Sequence, residues 1–273
     1  MPRPTGARPV LALLTDFGTR DPYVAAMKGV ALGIHPELTL LDLTHEIAPH
    51  DVAEGARYLV DAVPYLPTNT AIVGVVDPGV GSDRRPIAAR AGDHWFLGPD
   101  NGLFAGVFAR TPPELIVAIA DPRYIRVPVS RTFEGRDRFA PAAAWLLSGV
   151  PLAALGPTIT DPIGLAREDD ATADDGVLTG TLVAADRFGN VRTSIDRMVF
   201  DLFAGPARVE IRVGALPGQL VRLVDTYADI ADGEIAALFG SAGWLEIAAR
   251  SAPALGRPGL TIGQPIVVLL SPP

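Results

Sequence analysis

The sequence predicts an α/β protein of two domains: an N-terminal α/β domain with a mostly parallel central sheet, and a smaller C-terminal domain of β-strands. In the first 164 residues, apolar strand-like runs alternate with segments whose apolar residues recur at helical spacing, as in βαβ units. Residues 166–176, AREDDATADDG, are acidic and lack any apolar period. Short β-like runs separated by turn residues follow, a pattern typical of a small sandwich or barrel. We therefore expect domains at residues 1–164 and 177–273, joined by a linker at 165–176.

In the first domain, each predicted strand leads into a turn and then into the next element. We expect strands at residues 10–14, 38–43 and 71–76, a hairpin of strands 87–91 and 95–98, and helices at 23–34, 52–63, 103–109 and 140–147. Asp51 is the expected N-cap of the second helix, with Glu54 three residues later as its capping-box partner.

In the second domain, six runs have the apolar and β-branched character of short strands. They cover residues 177–185, 191–194, 207–213, 220–224, 244–248 and 265–270. The sequence shows no internal repeat.

Composition narrows the functional classes. Hydrophobic residues make up 48% of the 273 residues and charged residues 20%, as in an ordinary soluble protein. The chain has no cysteine, which excludes disulfides, thiolate nucleophiles and Cys-ligated metals. A net charge of −8 argues against nucleic acid as a partner. The apolar run after the N-terminus is too short for a signal peptide or a membrane span, so we expect a cytoplasmic protein without membrane contact.

Carboxylates stand at or near the ends of the first three predicted strands. Asp16, Asp42 and Asp77 are therefore expected along one edge of the sheet, where α/β folds carry their functional groups. After Asp77, the turn residues Pro-Gly-Val-Gly must fold the backbone back, which would bring Arg84 or Arg85 towards the carboxylate. The alternative is an ordinary strand-to-loop junction with a solvated aspartate.

Three further motifs allow two interpretations each. His45, His50 and Asp51 are close enough to form a metal site, but the spacing across Pro49 is not that of two ligands on one helix face. Residues 98–102, GPDNG, form either a tight turn alone or a turn that contacts a ligand. Residues 186–190, DRFGN, form either a plain hairpin turn or one whose amide reads an adenine edge.

Eight ordered blocks give the chain a family resemblance that single motifs do not. They are LLTDFG, MKGVALGIHPELTLLDLTHEI, GARYLVDAVPYLP, VVDPGVGSDRR, GPDNGLF, TFEGRDRFAPAAAWL, DRFGNVRTSI and GSAGWLEIA. In order and spacing they resemble the S-adenosyl-L-methionine (SAM) hydroxide adenosyltransferases, adenosine-forming hydrolases similar to fluorinases and chlorinases. The resemblance extends from about Val10 to Leu269. It implies a C-terminal barrel-like domain and a homotrimer whose sites lie between neighbouring subunits.

The resemblance also implies roles for individual residues. Asp16 matches the aspartate that holds the ribose hydroxyls, and Asp77 and Arg84 match two members of an Asp-Arg-His set that positions water or hydroxide. In the second domain the matching positions are Asp186, facing the methionine amine, Asn190, reading the adenine edge, and Ser241, contacting the methionine carboxylate. SAM is then the substrate, and neither a cofactor nor a metal is expected. In the halogenases the position of Asp77 is a tyrosine, and a carboxylate there disfavours a halide.

One position departs from the family pattern. The family reads TFHGRD where this chain has TFEGRD, so Glu134 replaces the expected histidine. Glu134 is a candidate general base, since a carboxylate can take a proton when its surroundings favour the neutral form. The alternatives are a SAM- or adenosine-binding protein without turnover, a slow SAM-dependent halogenase, and a metal-dependent phosphohydrolase built on Asp16, Asp42 and Asp77.

Overall fold

The computed structural model describes residues 8–164, 171–214 and 219–270. The chain forms two compact units, residues 1–165 and 166–273. Residues 165–170 of the expected linker lie outside the described part. Within the described part, no helix is both long and apolar enough to cross a membrane.

The first unit is built on a six-stranded, mostly parallel sheet, as predicted. Its strands are β1 (Val10–Thr15), β2 (Thr39–Thr44), β3 (Thr70–Val75), β4 (Pro86–Ala91), β5 (His94–Pro99) and β6 (Leu115–Ala118). The order across the sheet is β2-β1-β3-β5-β4-β6. Strands β2, β1, β3 and β5 pair in parallel, whereas β4 is antiparallel to both neighbours. β1 and β3 are buried along their whole length, which explains their uninterrupted apolar sequences.

Helices cover both faces of this sheet. They are α1 (Tyr23–Ile34), α2 (Val52–Ala62), α3 (Ala105–Arg110) and α4 (Ala140–Leu147), the last preceded by a π-helical turn, Gly135–Phe139. Residues of α1 and α4 share one core with the buried side chains of β1 and β3. On the other face, α2 packs closely against Leu103 because residue 55 is a glycine. An added Cβ at Gly55 would lie 2.8 Å from Leu103 Cδ1.

The start of α2 differs in one detail from the expected capping box. Asp51 accepts a hydrogen bond from the Glu54 backbone N–H at 2.7 Å, as an N-cap should. The Glu54 carboxylate accepts from Ala48 N at 2.7 Å instead of from Asp51 N, so the prediction of a complete capping box was wrong. Glu54 thereby ties down the loop that carries His50.

The second unit is a closed barrel of seven strands with an eighth at its side, which confirms the barrel-like fold. The strands are β7 (Thr172–Asp174), β8 (Val177–Ala185), β9 (Val191–Asp196), β10 (Val209–Val213), β11 (Gln219–Leu223), β12 (Ile235–Phe239), β13 (Trp244–Ala249) and β14 (Pro265–Leu270). Pairing of β14 with β8 closes the ring, and β7 flanks β8. Helix α5 (Arg197–Ala204) follows β9. β6, β7, β12 and α5 are additions to the predicted elements, and β7 falls within the expected linker.

Candidate active site

A cleft of about 310 Å³ lies in the first unit, where β1 and β3 end. This is the edge at which open α/β sheets bind ligands. Its lining combines two aspartates, a glutamate, a histidine and a threonine with aromatic and apolar residues: Asp16, Phe17, Tyr23, Pro49, His50, Val75, Asp77, Val80, Thr132, Phe133, Glu134 and Gly135.

The turn after β3 folds back and brings Arg84 against Asp77. Within the turn, Ser82 Oγ donates to Gly79 O at 2.6 Å and accepts from Arg84 N at 3.3 Å. Arg84 Nε donates to Asp77 Oδ1 at 2.9 Å, and its Nη2 contacts Asp77 Oδ2. Only 9% of the Arg84 side chain and 5% of the Asp77 side chain are exposed, so the ion pair is shielded from water. Asp77 is thus a held carboxylate beside a fixed cation.

Glu134 joins this pair from a distant part of the chain. It stands just before the π-helical turn, and its Oε2 lies 2.6 Å from Arg84 Nη2. Arg84 is therefore shared by two carboxylates. Burial lowers the pKa of Arg84, but hydrogen bonds and charges from Asp77 and Glu134 raise it more, so the net pKa lies above the ordinary arginine value. The guanidinium is a permanent positive charge held against two carboxylates of the cleft lining.

Asp16 faces the same cleft from the end of β1. His50 N donates to Asp16 Oδ2 at 2.9 Å, and His50 adopts a left-handed backbone conformation with φ 71°. A carboxylate with two acceptor oxygens, held by a backbone N–H, is suited to bind vicinal hydroxyls. His50 is placed by the loop that Glu54 holds.

Three aromatic rings form an apolar wall of the cleft. Phe17, Tyr23 and Phe133 meet edge to face, with ring centroids 5.2 to 6.0 Å apart. Such contacts fix ring positions and exclude water. None of the three rings was among the predicted site residues, although Phe17 lies inside the LLTDFG block and Phe133 inside the TFEGRD block.

Asp42 does not join Asp16 and Asp77 among the described lining of the cleft, so the expectation of three gathered aspartates was wrong. It lies inside β2, opposite Leu13, and accepts from Lys28 Nζ at 2.6 Å. Its other oxygen lies 3.0 Å from His45 Nε2. Burial raises the pKa of Asp42, whereas Lys28 and His45 lower it more, leaving it below the ordinary value.

The three residues considered for a metal site have separate contacts. His45 is buried and its Nδ1 lies 2.9 Å from Thr15 Oγ1, His50 lines the cleft, and Asp51 caps α2. Within the described ranges, no group of three or more His, Cys, Asp or Glu side chains could hold a metal ion.

The GPDNG turn makes contacts within the protein. Buried Asp100 accepts from Arg85 Nε at 2.8 Å and from Ile163 N at 2.8 Å. Asn101 Nδ2 donates to Val76 O at 2.8 Å, next to Asp77 in sequence. These contacts favour the turn interpretation. They also show that Arg85 pairs with Asp100, whereas Arg84 pairs with Asp77 and Glu134 of the cleft.

In the second unit, Asp186 organises the loop between β8 and β9. Asp186 Oδ1 accepts from Phe188 N and Asn190 N, both at 2.9 Å, and its Oδ2 accepts from Asn190 Nδ2 at 2.8 Å. Asn190 is buried, whereas Phe188 is 76% exposed at the tip. The structure thus brings Asp186 and Asn190 together.

Ser241 lies in another loop of the barrel, between β12 and β13. Its neighbour Gly240 has its backbone against the Glu246 carboxylate, and Tyr227 OH donates to Glu246 Oε2 at 3.2 Å. Burial raises the pKa of Tyr227 to about 12, aided by the charges of Glu246 and Asp186.

Known proteins match the chain along nearly its whole length. Residues 11–156 match the family model of the SAM hydroxide adenosyltransferase N-terminal domain, and residues 180–267 match that of the C-terminal domain. The chain is 37% identical to an (R)-S-adenosyl-L-methionine hydrolase of Thermus thermophilus over 96% of this chain and 100% of that protein. It is 28% identical to a fluorinase of Actinoplanes sp. over 97% and 99%. A crystal structure of an uncharacterized conserved protein from Thermotoga maritima superposes with a TM-score of 0.88 at 30% identity, covering 95% and 99% of the two chains.

The fold and the matches define an enzyme, with a sheet-edge cleft in one unit and a barrel in the other. The chain belongs to the SAM hydroxide adenosyltransferase family.

Proposed function

We propose that this enzyme hydrolyses SAM to adenosine and L-methionine in the N-terminal cleft. The observation that carries the proposal is that Asp77 and Glu134, which line the cleft together with Asp16, share the buried guanidinium of Arg84. Relatives named (R)-S-adenosyl-L-methionine hydrolase at 35 to 37% identity support the reaction class.

The reaction is an in-line displacement at C5′. A water oxygen forms a bond to C5′ while the C5′–S bond breaks, and the electron pair of that bond stays on sulfur as the neutral thioether of methionine. The water loses one proton, which a carboxylate accepts and passes to solvent. Because the sulfonium is already a good leaving group, no acid or cofactor is required. The protein's task is to position one water and exclude others.

The roles follow from the contacts. Arg84 faces the incoming oxygen and favours its hydroxide form, since a fixed positive charge in a shielded site stabilises a nearby anion. Asp77 and Glu134 orient the water and accept its proton. Asp16 holds the ribose hydroxyls, and the edge-packed aromatic rings keep bulk water away from C5′.

Water is favoured over halide in this cleft. Asp77 and Glu134 can accept a proton from water, whereas a halide has no proton to give to these shielded carboxylates. A slow halogenase therefore has less support than a hydrolase.

Recognition of the adenine and methionine groups is assigned to the barrel. We propose that Asn190 reads the adenine edge, that Asp186 faces the methionine amine, and that Ser241 contacts its carboxylate. As implied by the family resemblance, these residues come from a neighbouring subunit of a homotrimer. The cytoplasmic location stays a prediction.

A product assay tests the reaction. Purified protein is incubated with SAM, with and without chloride and a chelator, and adenosine, methionine and 5′-chloro product are separated by chromatography. Adenosine that grows in proportion to enzyme and ignores chloride and chelator supports the hydrolase. Ligand binding without any product supports the binding-protein alternative, in which Glu134 has ended turnover.

A complementation assay tests the shared site. Asp16→Ala and Asn190→Ala remove one side of the site each, so each variant alone should be at least about tenfold less active at low SAM. Co-expressed in one cell, they should form mixed trimers in which some sites keep both residues. Recovered activity supports sites between subunits, whereas activity equal to the average of the two variants contradicts them.

A further inference from the structure

We propose that Arg138 is a positioning residue for hydrolysis, which holds the Glu134 carboxylate so that one oxygen faces Arg84 in the cleft. The inference rests on the proposed function of the cleft. It concerns a side chain that is not among the described lining of the cleft and that acts through Glu134.

Arg138 connects Glu134 to the sheet. Its Nε donates to Glu134 Oε1 at 3.1 Å, and its Nη1 donates to the backbone oxygen of Ile119 at 2.7 Å. Ile119 is buried just after β6, and its own N–H donates to Pro86 O at 2.8 Å. The guanidinium is therefore anchored on a rigid element at one end and on Glu134 at the other.

The two oxygens of Glu134 have different surroundings. Oε1 is held by Arg138, whereas Oε2 lies 2.6 Å from Arg84 Nη2. Oε2 is buried, and among the described residues it makes no hydrogen bond of good geometry, since the Arg84 contact is close but poorly aligned. Arg138 thus prevents the carboxylate from turning away from the site.

Charge balance gives Arg138 a second effect. Asp77 and Glu134 carry two negative charges against the single positive charge of Arg84, and Arg138 restores neutrality within the cluster. A cluster with a net negative charge would repel hydroxide more strongly in a site of low polarity. The chain has a glutamate where the family pattern has histidine, and Arg138, one turn later, offsets the charge of that glutamate.

A double-mutant cycle in the full-length enzyme tests this link. Arg138→Met should lower kcat for adenosine formation about tenfold and change KM by less than about threefold, because the substrate contacts are intact. In the Glu134→Gln background, Arg138→Met should have almost no further effect on kcat, because the carboxylate it holds is gone. Arg138→Lys keeps the charge next to Glu134 and should recover most of the activity.

Arg136→Met is the matched control. Arg136 sits on the same π-helical turn, but it pairs with Asp137 at 2.7 Å. Its loss should lower thermal stability, and any effect on kcat should be the same in the unmodified enzyme and in the Glu134→Gln background. A merely structural role of Arg138 would give this additive behaviour too.

The outcomes separate the two proposals. If the unmodified enzyme forms no adenosine, the proposed function is rejected and this inference falls with it. If the unmodified enzyme is active, additive effects of Arg138→Met and Glu134→Gln overturn the inference alone. Two further results would overturn the inference and leave the proposed function standing. One is full activity of a folded Arg138→Met variant, and the other is an Arg138→Lys variant with activity as low as that of Arg138→Met.

Discussion

The cleft wall of the first unit and the 186–190 loop of the second unit both depend on a carboxylate, but they are assembled differently. Asp77, Arg84 and Glu134 meet from two distant stretches of the chain and are largely buried. Asp186 makes its hydrogen bonds to residues no more than four positions away. The charges of the cleft therefore depend on the folded first unit. The carboxylate contacts of the loop are local, although Gly189 also ties the loop to residues 253–255. Substitutions should affect stability and turnover together in the cleft, and chiefly binding in the loop.

The largest effect is expected from Arg84→Met. It leaves two shielded carboxylates without their shared cation, so we expect a loss of about 3 to 5 kcal/mol in the free energy of unfolding. Turnover per folded molecule should fall about 100- to 1,000-fold, because a preorganised charge at the reacting oxygen is lost. Urea unfolding and steady-state adenosine formation measure the two losses.

Arg85→Met is the control for that substitution. Arg85 also pairs with a buried carboxylate, Asp100, but outside the cleft. The Arg85→Met variant should have a lower free energy of unfolding and an unchanged turnover. Equal loss of turnover in both variants would contradict the separate assignment of the two arginines.

The next largest effect on turnover is expected from Asp77→Ala. Arg84 keeps Glu134 as a partner, so turnover should fall about 100-fold through the loss of one proton acceptor and water contact. SAM affinity, measured by calorimetry, should change much less than turnover. An equal loss in affinity and turnover, or no loss in turnover, would reject the assigned role.

A smaller effect, confined to binding, is expected from Asn190→Ala. Loss of one amide that pairs with a buried base edge should raise KM about tenfold while kcat at saturation is kept. Asn101→Ala is the matched control, since that amide bonds Val76 O and should affect stability without changing KM. A lower kcat with unchanged KM in Asn190→Ala would place this loop in the chemistry instead.

The smallest effect concerns pH and Asp137, which anchors the turn that carries Glu134. Burial raises the pKa of Asp137, but hydrogen bonds from Arg136, Ser130 N and Arg126 lower it more, so its folded-state pKa lies below the ordinary value. Its contribution to stability is present above the unfolded-state pKa and is lost as pH falls through the folded-state pKa. The slope for one proton is at most about 1.4 kcal/mol per pH unit. In Asp137→Asn, the midpoint of urea unfolding should depend less steeply on pH below about pH 4. An unchanged dependence of the midpoint on pH would contradict this assignment.

Local patterns in the sequence were enough for most of the fold. The buried strands β1 and β3 and the helix α1 follow from apolar runs and periodicity. β12 was missed because its alanine-rich sequence, IAALF, fits a helix as well as a strand, and only pairing with β11 and β13 decides between them. β7 was missed because its sequence is exposed and polar, and it is stabilised by β8.

The site was predictable where the chain approaches itself locally, and less so where distant elements meet. The turn residues after Asp77 indicated that an arginine would return, but the choice of Arg84 over Arg85 depends on where Asp100 lies. Asp42 was misplaced because strand order does not tell which way a side chain points. The opposite charges of Glu134 and Arg138 at helical spacing were a signal that could have identified the pair.

The most direct test of water attack at C5′ uses water labelled with heavy oxygen. The enzyme is incubated with SAM in labelled water, and the adenosine product is analysed by mass spectrometry. We expect the heavy oxygen in the 5′-hydroxyl of adenosine and only unlabelled methionine, with label appearing at a rate that falls in Asp77→Ala. Adenosine without the label, or no adenosine from protein that binds SAM, would contradict hydrolysis by water held at Asp77, Arg84 and Glu134.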